Sequence, residues 1–286
     1  MLKPILKWAG GKRQILHHLH TQLPQLDWSI CTYYEPFVGG AAMLLSLKPQ
    51  AAVINDINED LINVYRVIQH DPEALITALN GHINTEAHYY EVRSWDREED
   101  TYASLSSIER AARTIYLNRT CFNGLYRVNS RGKFNVPYGK YKQANIVQEH
   151  KVRAFSRYLN RNTIQIHHGD YAAAVSRAKA GDFVYFDPPY DTLSPTASFT
   201  SYAKGGFARE EQRRLAELYK QLDQKGVYVM LSNHATEFIT DLYRNYHIHH
   251  VHAKRLINSK GTARGGVNEV VVVNYDNNSR SSAYSF

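Results

Sequence analysis

An Asp-Pro-Pro-Tyr tetrapeptide, residues 187–190, directly follows the apolar run 183–186 (Phe-Val-Tyr-Phe). The apolar run predicts a buried strand, and in open α/β sheets ligands bind beyond the carboxyl ends of such strands. The two prolines would stiffen the turn and hold Asp187 and Tyr190 in fixed directions. A plain turn that ends a strand is the alternative, but loops at these positions are where functional side chains concentrate. We therefore interpret residues 187–190 as a catalytic turn.

The chemistry that suits this turn is activation of an exocyclic amine on a nucleobase. The amine of adenine is a poor nucleophile because its lone pair is delocalised into the ring. Two acceptors, the Asp187 carboxylate and the Pro188 carbonyl, could bind its two hydrogens and favour a localised lone pair as positive charge develops. Tyr190 would stack on the base. An adenine inside a duplex cannot reach such a turn, so the nucleotide must be flipped out.

A second turn, residues 35–42 (Glu-Pro-Phe-Val-Gly-Gly-Ala-Ala), joins a predicted strand to a predicted helix through paired glycines. Bare backbone at the start of a helix lets a ligand approach closely. Asp56, at the end of the next predicted strand, can accept the two hydroxyls of a ribose, and Asp170 can similarly face an adenine amine. The alternatives are a tight turn without a ligand and acids that cap helices or lie on the surface.

Residues 7–13 (Lys-Trp-Ala-Gly-Gly-Lys-Arg) combine cations, an aromatic ring and a tight turn. The segment lacks the glycine spacing and the Lys-Ser/Thr ending of a P-loop, so ATP hydrolysis is not predicted. A basic turn that is anchored by Trp8 and binds no ligand stays open as an alternative.

The stretch 119–142 predicts a loop and a hairpin rich in cations and aromatic rings, with no acidic residue. Cations pair with phosphates and guanine edges, and aromatic faces stack on bases or wedge between them. A solvated basic face whose aromatic residues anchor a hairpin is the alternative. We favour a nucleic-acid contact surface, whose cationic and aromatic members are Arg119, Phe122, Tyr126, Arg127, Arg131, Lys133, Phe134, Tyr138, Lys140, Tyr141 and Lys142.

These segments lie on a pattern of short apolar runs that alternate with helical periodicity, which predicts an α/β fold with a mostly parallel sheet. The clearest helix spans residues 210–224. Only a basic, glycine-containing loop, residues 254–266, separates the last two strands, so the last strand should run antiparallel. The predicted strands are residues 32–37, 52–55, 163–167, 183–186, 227–231, 247–253 and 267–275.

Residues 57–147 interrupt this alternation, because they contain helical stretches and the basic tract but no convincing parallel strand. We interpret them as an inserted, mainly helical recognition domain that carries a β-hairpin. The catalytic domain then consists of residues 1–56 and 148–286.

The composition favours a polyanionic partner, because 34 Lys and Arg residues against 27 Asp and Glu residues give a formal net charge of +7. Cys31 and Cys121 cannot form a disulfide framework or a four-cysteine zinc site. The histidines of strand 247–253 alternate between its two faces, so we expect no metal site. Residues 1–13 lack the apolar core of a signal peptide, and no apolar run is long enough to span a bilayer. A cytoplasmic protein without membrane contact is expected.

Four motifs in order along the chain resemble the Dam-type DNA adenine-N6 methyltransferases, which act on GATC. They are Trp-Ala-Gly-Gly-Lys (8–12), Glu-Pro-Phe-Val-Gly-Gly (35–40), Phe-Asn-Gly-Leu-Tyr-Arg (122–127) and Asp-Pro-Pro-Tyr (187–190). The resemblance spans residues 6–275, and Phe-Asn-Val-Pro-Tyr-Gly (134–139) and the stretch 187–207 are among its most specific parts. Gly-Gly-Ala at 39–41 departs from the Gly-x-Gly of many methyltransferases, although the backbone can still be approached closely.

The resemblance implies a Rossmann-like sheet of an S-adenosylmethionine-dependent methyltransferase. Adenine N6 would displace S-adenosylhomocysteine directly, with no metal, and a loop at 191–207 would close over DNA or cofactor. The implied partner is double-stranded DNA, and we expect a monomer in solution. The implied catalytic residues are Asp187, Pro188, Pro189 and Tyr190, and the implied cofactor-binding residues are Trp8, Lys12, Phe37, Gly39, Asp56, Asp170 and Asp187.

The resemblance also implies which side chains contact DNA. Arg127 would read a guanine in the major groove, and Lys7 would contact the first guanine of the site. Phe122 would wedge into the duplex, and Asn123 would help to occupy the space that the flipped base leaves. The whole implied set is Lys7, Phe122, Asn123, Leu125, Arg127, Pro137, Lys140 and Tyr141, of which Leu125 and Pro137 would pack on the thymine methyl.

Three other functions stay open at this point. An RNA adenine methyltransferase would keep the chemistry and use the tract 119–142 on single-stranded loops. A nucleotide-binding oxidoreductase would share the glycine turn but leaves residues 187–190 and the basic tract unexplained. A DNA-binding protein without catalysis is favoured only if S-adenosylmethionine does not bind. The residues do not decide between a role beside a restriction enzyme and a solitary role in replication, regulation or repair.

Overall fold

The computed structural model describes residues 2–8, 10, 12, 15–192, 207–253 and 267–276. Its strands are β1 (Thr32–Glu35), β2 (Ala51–Asp56), β3 (Thr163–His168), β4 (Phe183–Phe186), β5 (Tyr228–His234), β6 (His247–Ala253) and β7 (Val267–Val273). Its helices are α1 (Leu16–Thr21), α2 (Ala42–Leu47), α3 (Glu59–His70), α4 (Pro72–Asn80), α5 (Glu86–Ser94), α6 (Glu99–Ser104), α7 (Ser107–Thr120), α8 (Glu149–Arg161), α9 (Tyr171–Ala174), α10 (Arg209–Gln224) and α11 (Glu237–Leu242). Within those ranges, no helix combines the length and the apolar character that a membrane crossing requires.

The strands form one seven-stranded sheet in the order β3-β2-β1-β4-β5-β7-β6. β4 runs parallel to β1 and β5, and Val184 lies opposite Tyr34 and Val229. β7 runs antiparallel to both of its neighbours, with Val272 opposite Leu231 of β5 and Ile248 of β6. The predicted α/β fold with a mostly parallel sheet and an antiparallel last strand is therefore confirmed. The insertion of β7 between β5 and β6 was not predicted.

All seven predicted strands are present, but several of their ends differ; β7, for example, ends at Val273 instead of residue 275. Two of the differences have a clear physical reason. β1 ends at Glu35 instead of residue 37, since Pro36 has no N–H to continue a ladder. β5 continues past Leu231 to His234, because the buried Ser232 and Asn233 hydrogen-bond other buried groups and so can stay inside the sheet.

The basic tract also differs in part from its prediction. Arg119 and Thr120 belong to the end of α7 rather than to a loop. The hairpin is held by isolated antiparallel bridges, Cys121 with Tyr138 and Val128 with Phe134, rather than by long strands. The predicted loop 254–266 and residues 193–206 of the predicted closing loop lie outside the described residues.

Residue contacts divide the chain into two compact units. The predicted recognition insertion, residues 57–147, falls inside the first unit together with β3 and α8, and its boundaries stay a prediction. Unit 1 comprises Met1–Gly11, Val38–Gln50 and Ile54–Tyr171, and unit 2 comprises Lys12–Phe37, Ala51–Val53 and Ala172–Phe286.

Unit 1 is built around α3, which packs against α7 and α8. The Asn58 side chain caps α3 by accepting the Leu61 N–H at 2.9 Å, and Ser106 begins α7 with a reciprocal capping box. The buried ring of Tyr65 on α3 meets Phe155 of α8 edge to face, 5.6 Å between centroids. These helices form a fixed base for the basic tract that follows α7.

Unit 2 is built around the paired strands β4 and β5, and α10 packs on β5. Leu215, Leu218, Tyr219 and Leu222 form the apolar stripe that predicts α10; three of them are buried, and Leu218 is half-buried. The Tyr219 hydroxyl donates to the carbonyl of Val229 at 3.1 Å, which ties the helix to β5. The carboxyl end of β4, where the Asp-Pro-Pro-Tyr turn begins, therefore rests on a packed scaffold.

Candidate active site

The Asp187 carboxylate is paired with Lys12 within unit 2. The Lys12 ammonium nitrogen lies 2.7 Å from Asp187 Oδ1, and the two side chains are 7% and 19% exposed. The same ammonium lies 4.3 Å from the centroid of the Tyr190 ring. Desolvation raises the pKa of Asp187 to about 6, although the charge of Lys12 acts in the opposite direction. At neutral pH the turn thus presents a poorly solvated carboxylate beside an aromatic face.

Two buried amides hold the backbone of this turn. Gln212 Nε2 donates to the Pro189 carbonyl at 2.9 Å, and Asn233 Oδ1 accepts the Asp191 N–H at 2.9 Å. The two side chains also bond each other, and they are 1% and 0% exposed. Backbone groups on both sides of Tyr190 are therefore fixed before any ligand arrives. Neither Gln212 nor Asn233 was predicted from the sequence. Only Asn233 carried a usable signal, because Ser232 and Asn233 form a polar pair at the end of the apolar strand β5.

The Tyr190 ring is held by its edge and by its hydroxyl. The hydroxyl donates to Glu269 Oε2 at 3.0 Å, and the His234 ring meets Tyr190 edge to face at 4.8 Å. Burial is the main cause that raises the pKa of Tyr190, so the hydroxyl stays neutral. Glu269 was also missed, although it is the one acid among the valines of β7. The ring is oriented in advance, as a stacking platform requires.

Residues 38–42 of the glycine turn lie in unit 1, where Asp56 braces them. Asp56 Oδ2 accepts the Gly39 N–H and Oδ1 accepts the Asn58 N–H, both at 3.0 Å. Burial raises the pKa of Asp56. Gly39 has φ +45°, and a Cβ on it would lie 3.0 Å from Trp8 Cδ1, so the backbone conformation and the close approach of Trp8 both favour glycine.

The ends of β2 and β3 lie side by side in unit 1. The Asn55 side chain donates to the Gly169 carbonyl at 2.9 Å, and the Gly169 N–H donates to the Asp56 carbonyl at 3.2 Å. Asp170, directly after Gly169, is exposed. Of the predicted cofactor residues, unit 1 therefore brings the glycine turn, Trp8, Asp56 and the Asp170 segment together.

The other predicted cofactor residues belong to unit 2. Phe37 contacts Phe186 and Phe207 edge to face, at 6.3 and 5.6 Å between centroids, and Lys12 contacts Asp187 as described above. Ala9 and Gly11 of the Trp-Ala-Gly-Gly-Lys segment lie outside the described residues. Among the residues that are described, no group of three or more His, Cys, Asp and Glu side chains is arranged to hold a metal ion.

The predicted DNA-contact residues all lie in unit 1, and most of them are exposed. Phe122 is 51% exposed, which is unusual for a large apolar ring, and its N–H donates to the Pro137 carbonyl at 2.9 Å. Leu125 and Tyr141 are half-buried. An exposed ring beside cations is a surface that can contact a nucleic acid.

Buried Asn118 joins the segment before Trp8 to this tract. Its side chain accepts the Lys7 N–H at 2.9 Å and donates to the carbonyls of Lys7 at 2.8 Å and Gly124 at 3.2 Å. Gly124 has φ +65°, and a Cβ there would lie only 2.4 Å from Lys7 Cδ. The Lys7 side chain therefore crosses the tract where only glycine leaves room.

The guanidinium of Arg127 is aimed by its neighbour across the hairpin. Its Nε donates to Asn135 Oδ1 at 2.8 Å, and a terminal nitrogen donates to the Asn135 carbonyl at 3.3 Å. Asn84 similarly holds the Tyr141 carbonyl at 2.8 Å. The side chains that could touch bases are thus supported by Asn118, Asn135 and Asn84. Only Asn135 falls within a motif noted in the sequence, and none of the three was assigned a role from it.

Comparison with known proteins identifies the family. The model of the D12 class N6 adenine-specific DNA methyltransferases matches residues 8–257. The type II methyltransferase M1.LlaDCHI of Lactococcus lactis subsp. cremoris is 48% identical over 278 residues, covering 96% of each chain. The type II methyltransferase M.MjaIII of Methanocaldococcus jannaschii is 41% identical over 291 residues, covering 96% of this chain and 99% of the relative.

A third relative is the DNA adenine methylase of Escherichia coli (strain K12). It is 34% identical over 271 residues, and the match covers 95% of each chain. The match to the family model includes the glycine turn, the basic tract and the Asp-Pro-Pro-Tyr turn. This chain belongs to the D12 class of N6 adenine-specific DNA methyltransferases.

Proposed function

We propose that the protein methylates N6 of adenine in double-stranded GATC sites, after flipping the target nucleotide out of the duplex, with S-adenosylmethionine as the methyl donor. The observation that carries the proposal is the turn at residues 187–190, whose desolvated carboxylate and oriented Tyr190 ring stand on a scaffold of buried hydrogen bonds. The order of the motifs along the chain resembles that of GATC-specific enzymes, and this supports GATC as the recognition sequence.

In this proposal the turn makes the adenine amine nucleophilic. The carboxylate of Asp187 and the carbonyl of Pro188 accept the two N6 hydrogens, so that the nitrogen lone pair can leave conjugation with the ring. Tyr190 stacks on the flipped base, and the buried amides of Gln212 and Asn233 keep these groups from moving during the reaction. S-adenosylmethionine supplies an electrophilic methyl group on a sulfonium and needs no metal.

The residues of the glycine turn fit this methyl donor. The absence of a side chain at Gly39 lets Trp8 lie against the glycine turn, and Asp56 retains acceptor capacity beyond the two N–H groups that it binds. In the proposal Asp56 accepts ribose hydroxyls, Trp8 and Phe37 contribute apolar faces, Asp170 faces the cofactor adenine, and Lys12 orients Asp187.

The basic tract would select the sequence. Arg127 presents a guanidinium fork that matches a guanine edge, while Lys7 contacts the first guanine. Phe122 wedges into the duplex, and Asn123 helps to occupy the opened site. Leu125 and Pro137 pack on the thymine methyl, and Lys140 and Tyr141 contribute to DNA binding.

Transfer of labelled methyl groups tests the proposal. Three substrates are compared: a duplex with one GATC, the same duplex with that site scrambled, and an RNA hairpin with an unpaired adenine. We expect label on the GATC duplex alone. Equal labelling of both duplexes would reject the recognition site and keep the chemistry, whereas preference for the hairpin would favour an RNA substrate.

The rate of methyl transfer is expected to depend on the protonation of Asp187. The carboxylate form accepts the amine hydrogen, and burial raises the pKa of this group to about 6. The single-turnover rate should therefore be level above about pH 7 and fall about tenfold per pH unit below about 6, as the acid becomes protonated. Cofactor and DNA affinities measured at each pH are the controls, and a rate that stays level down to about pH 5 would contradict this role.

Replacing Arg127 by alanine is expected to weaken binding to the GATC duplex by about 1 to 3 kcal/mol and to relax selection at one guanine. Arg131→Ala is the matched control, because Arg131 is exposed in the turn of the same hairpin and is not assigned to a base. Titration of duplexes with each base at that position measures both effects. Uniform weakening on every duplex would show that Arg127 contacts only phosphate.

A further inference from the structure

The rings of Trp8 and Tyr126 are stacked within unit 1. Their centroids are 4.7 Å apart and their planes are inclined by 26°. Trp8 also packs against the glycine turn. A Cβ placed on Gly39 would lie 3.0 Å from Trp8 Cδ1, and a Cβ placed on Gly40 would lie 3.3 Å from Trp8 Cβ. One indole therefore contacts both the turn proposed for the cofactor and a residue of the basic tract.

Tyr126 is firmly placed on the tract side. In the sequence it lies between Leu125 and Arg127. Its ring packs edge to face on Phe134, with 5.7 Å between the ring centroids. Its hydroxyl lies 3.4 Å from Asp60 Oδ2, while Tyr102 donates to the other oxygen of the same carboxylate. The Tyr126 ring is therefore held by Phe134 and Asp60, and its backbone is directly joined to that of Arg127.

A continuous path of contacts results. It runs from Gly39 to Trp8, from Trp8 to Tyr126, and from Tyr126 along the chain to Leu125 and Arg127. Every member belongs to unit 1. A ligand that shifts or holds the indole would therefore also act on the stacked tyrosine, and through the joined backbone on Arg127.

We propose that Tyr126 is a positioning residue that couples occupancy of the Trp8 site to DNA recognition by the hairpin. The inference rests on the proposed function, because it takes Trp8 as a cofactor contact and Arg127 as a base contact. By thermodynamic linkage the coupling is reciprocal: the product S-adenosylhomocysteine should raise the affinity for GATC DNA by the same factor by which that DNA raises the affinity for the product.

The coupling factor of the full chain is the quantity to measure. Dissociation constants for a GATC duplex are determined with and without saturating S-adenosylhomocysteine, and those for S-adenosylhomocysteine with and without the duplex. We expect a factor of at least about 5 in the wild-type chain. Tyr126→Leu, which removes the aromatic ring, should bring the factor near 1. The factor is a ratio measured within one variant, so a change in the affinity for either ligand alone does not enter it.

Two further variants separate stacking from general support of the fold. Tyr126→Phe keeps the ring and loses the bond to Asp60, so it should retain the wild-type factor. Tyr126→Thr keeps a hydroxyl without a ring and should behave as Tyr126→Leu, which preserves the test if the leucine variant does not fold. Circular dichroism establishes folding for each.

The outcomes are distinct. Loss of coupling in the ringless variants with retention in Tyr126→Phe supports the inference. A wild-type factor near 1, or an unchanged factor in a folded ringless variant, overturns the inference and leaves the proposed function standing. Failure of the wild-type chain to bind either ligand would instead overturn the proposed function, and the inference with it.

Discussion

Replacing Asp187 by alanine is expected to lower the turnover number for methyl transfer at least about 10³-fold while the chain stays folded. The carboxylate is the acceptor that meets charge as it develops on N6, and removing one such group from a prearranged site costs a large part of the rate. The fold should survive because Gln212, Asn233 and Glu269 hold the turn without using the Asp187 side chain. Rapid-quench measurement with enzyme in excess gives the rate of the chemical step.

Asp187→Asn is the matched variant, since it keeps the shape and one carbonyl acceptor but loses the charge. We expect its rate to lie between those of the wild-type and alanine enzymes. Thermal unfolding and binding of S-adenosylhomocysteine provide controls for folding and for the cofactor site. A decrease of only a few-fold in folded Asp187→Ala would remove Asp187 from the chemical step.

Replacing Lys12 by methionine is expected to slow methyl transfer at neutral pH at least about tenfold and to move the pH profile upward. The charge and hydrogen bond of Lys12 lower the pKa of Asp187, against the desolvation that raises it. Without the ammonium the pKa should exceed 6, so that a larger share of Asp187 is protonated at neutral pH. Part of the lost rate should return at about pH 9, where the carboxylate is again ionised.

Methionine preserves most of the length and apolar volume of the lysine side chain, which is buried. Lys220→Met, on the exposed face of α10, is the control for removing one positive charge elsewhere in the same unit. The measurement is the single-turnover rate from about pH 5 to 9. An unchanged midpoint, with the rate reduced equally at every pH, would show that Lys12 does not tune Asp187.

The elements of the fold could be predicted because their signals are local. The apolar run before Asp187, the β-branched run of β7 and the apolar stripe of α10 each reveal their type within one window of sequence. The place of β7 between β5 and β6 could not be predicted, because it depends on pairing between distant segments. Val270, for example, pairs with both Asn233 and His250.

The candidate site was predictable only where a motif carries it. The Asp-Pro-Pro-Tyr turn stands out because its residue types are rare together, whereas the amides that hold it are single residues in ordinary elements. Gln212 is one polar residue among many on α10, and nothing local indicates that it reaches the Pro189 carbonyl. The same holds for Asn118, which bonds Lys7 across 111 positions of sequence.

These supporting residues share a property that only the three-dimensional structure shows: they are buried polar side chains. Gln212, Asn233 and Asn118 are polar and at most 1% exposed, and their amides bond backbone groups. Burying an amide lowers the stability of the fold unless its hydrogen bonds are made. The presence of these amides beside the Asp-Pro-Pro-Tyr turn and the basic tract therefore indicates that the backbone there must be held in place.

The proposed chemistry is that the turn at residues 187–190 activates N6 of the adenine in GATC for attack on the methyl group of S-adenosylmethionine. The most direct measurement is complete reaction on a duplex with one GATC and other adenines outside it, followed by nucleoside mass spectrometry and mapping of the modified positions. We expect N6-methyladenine at the GATC adenine of each strand and nowhere else. N6-methyladenine at the other adenines, or unmodified DNA after incubation with folded protein and S-adenosylmethionine, would contradict it.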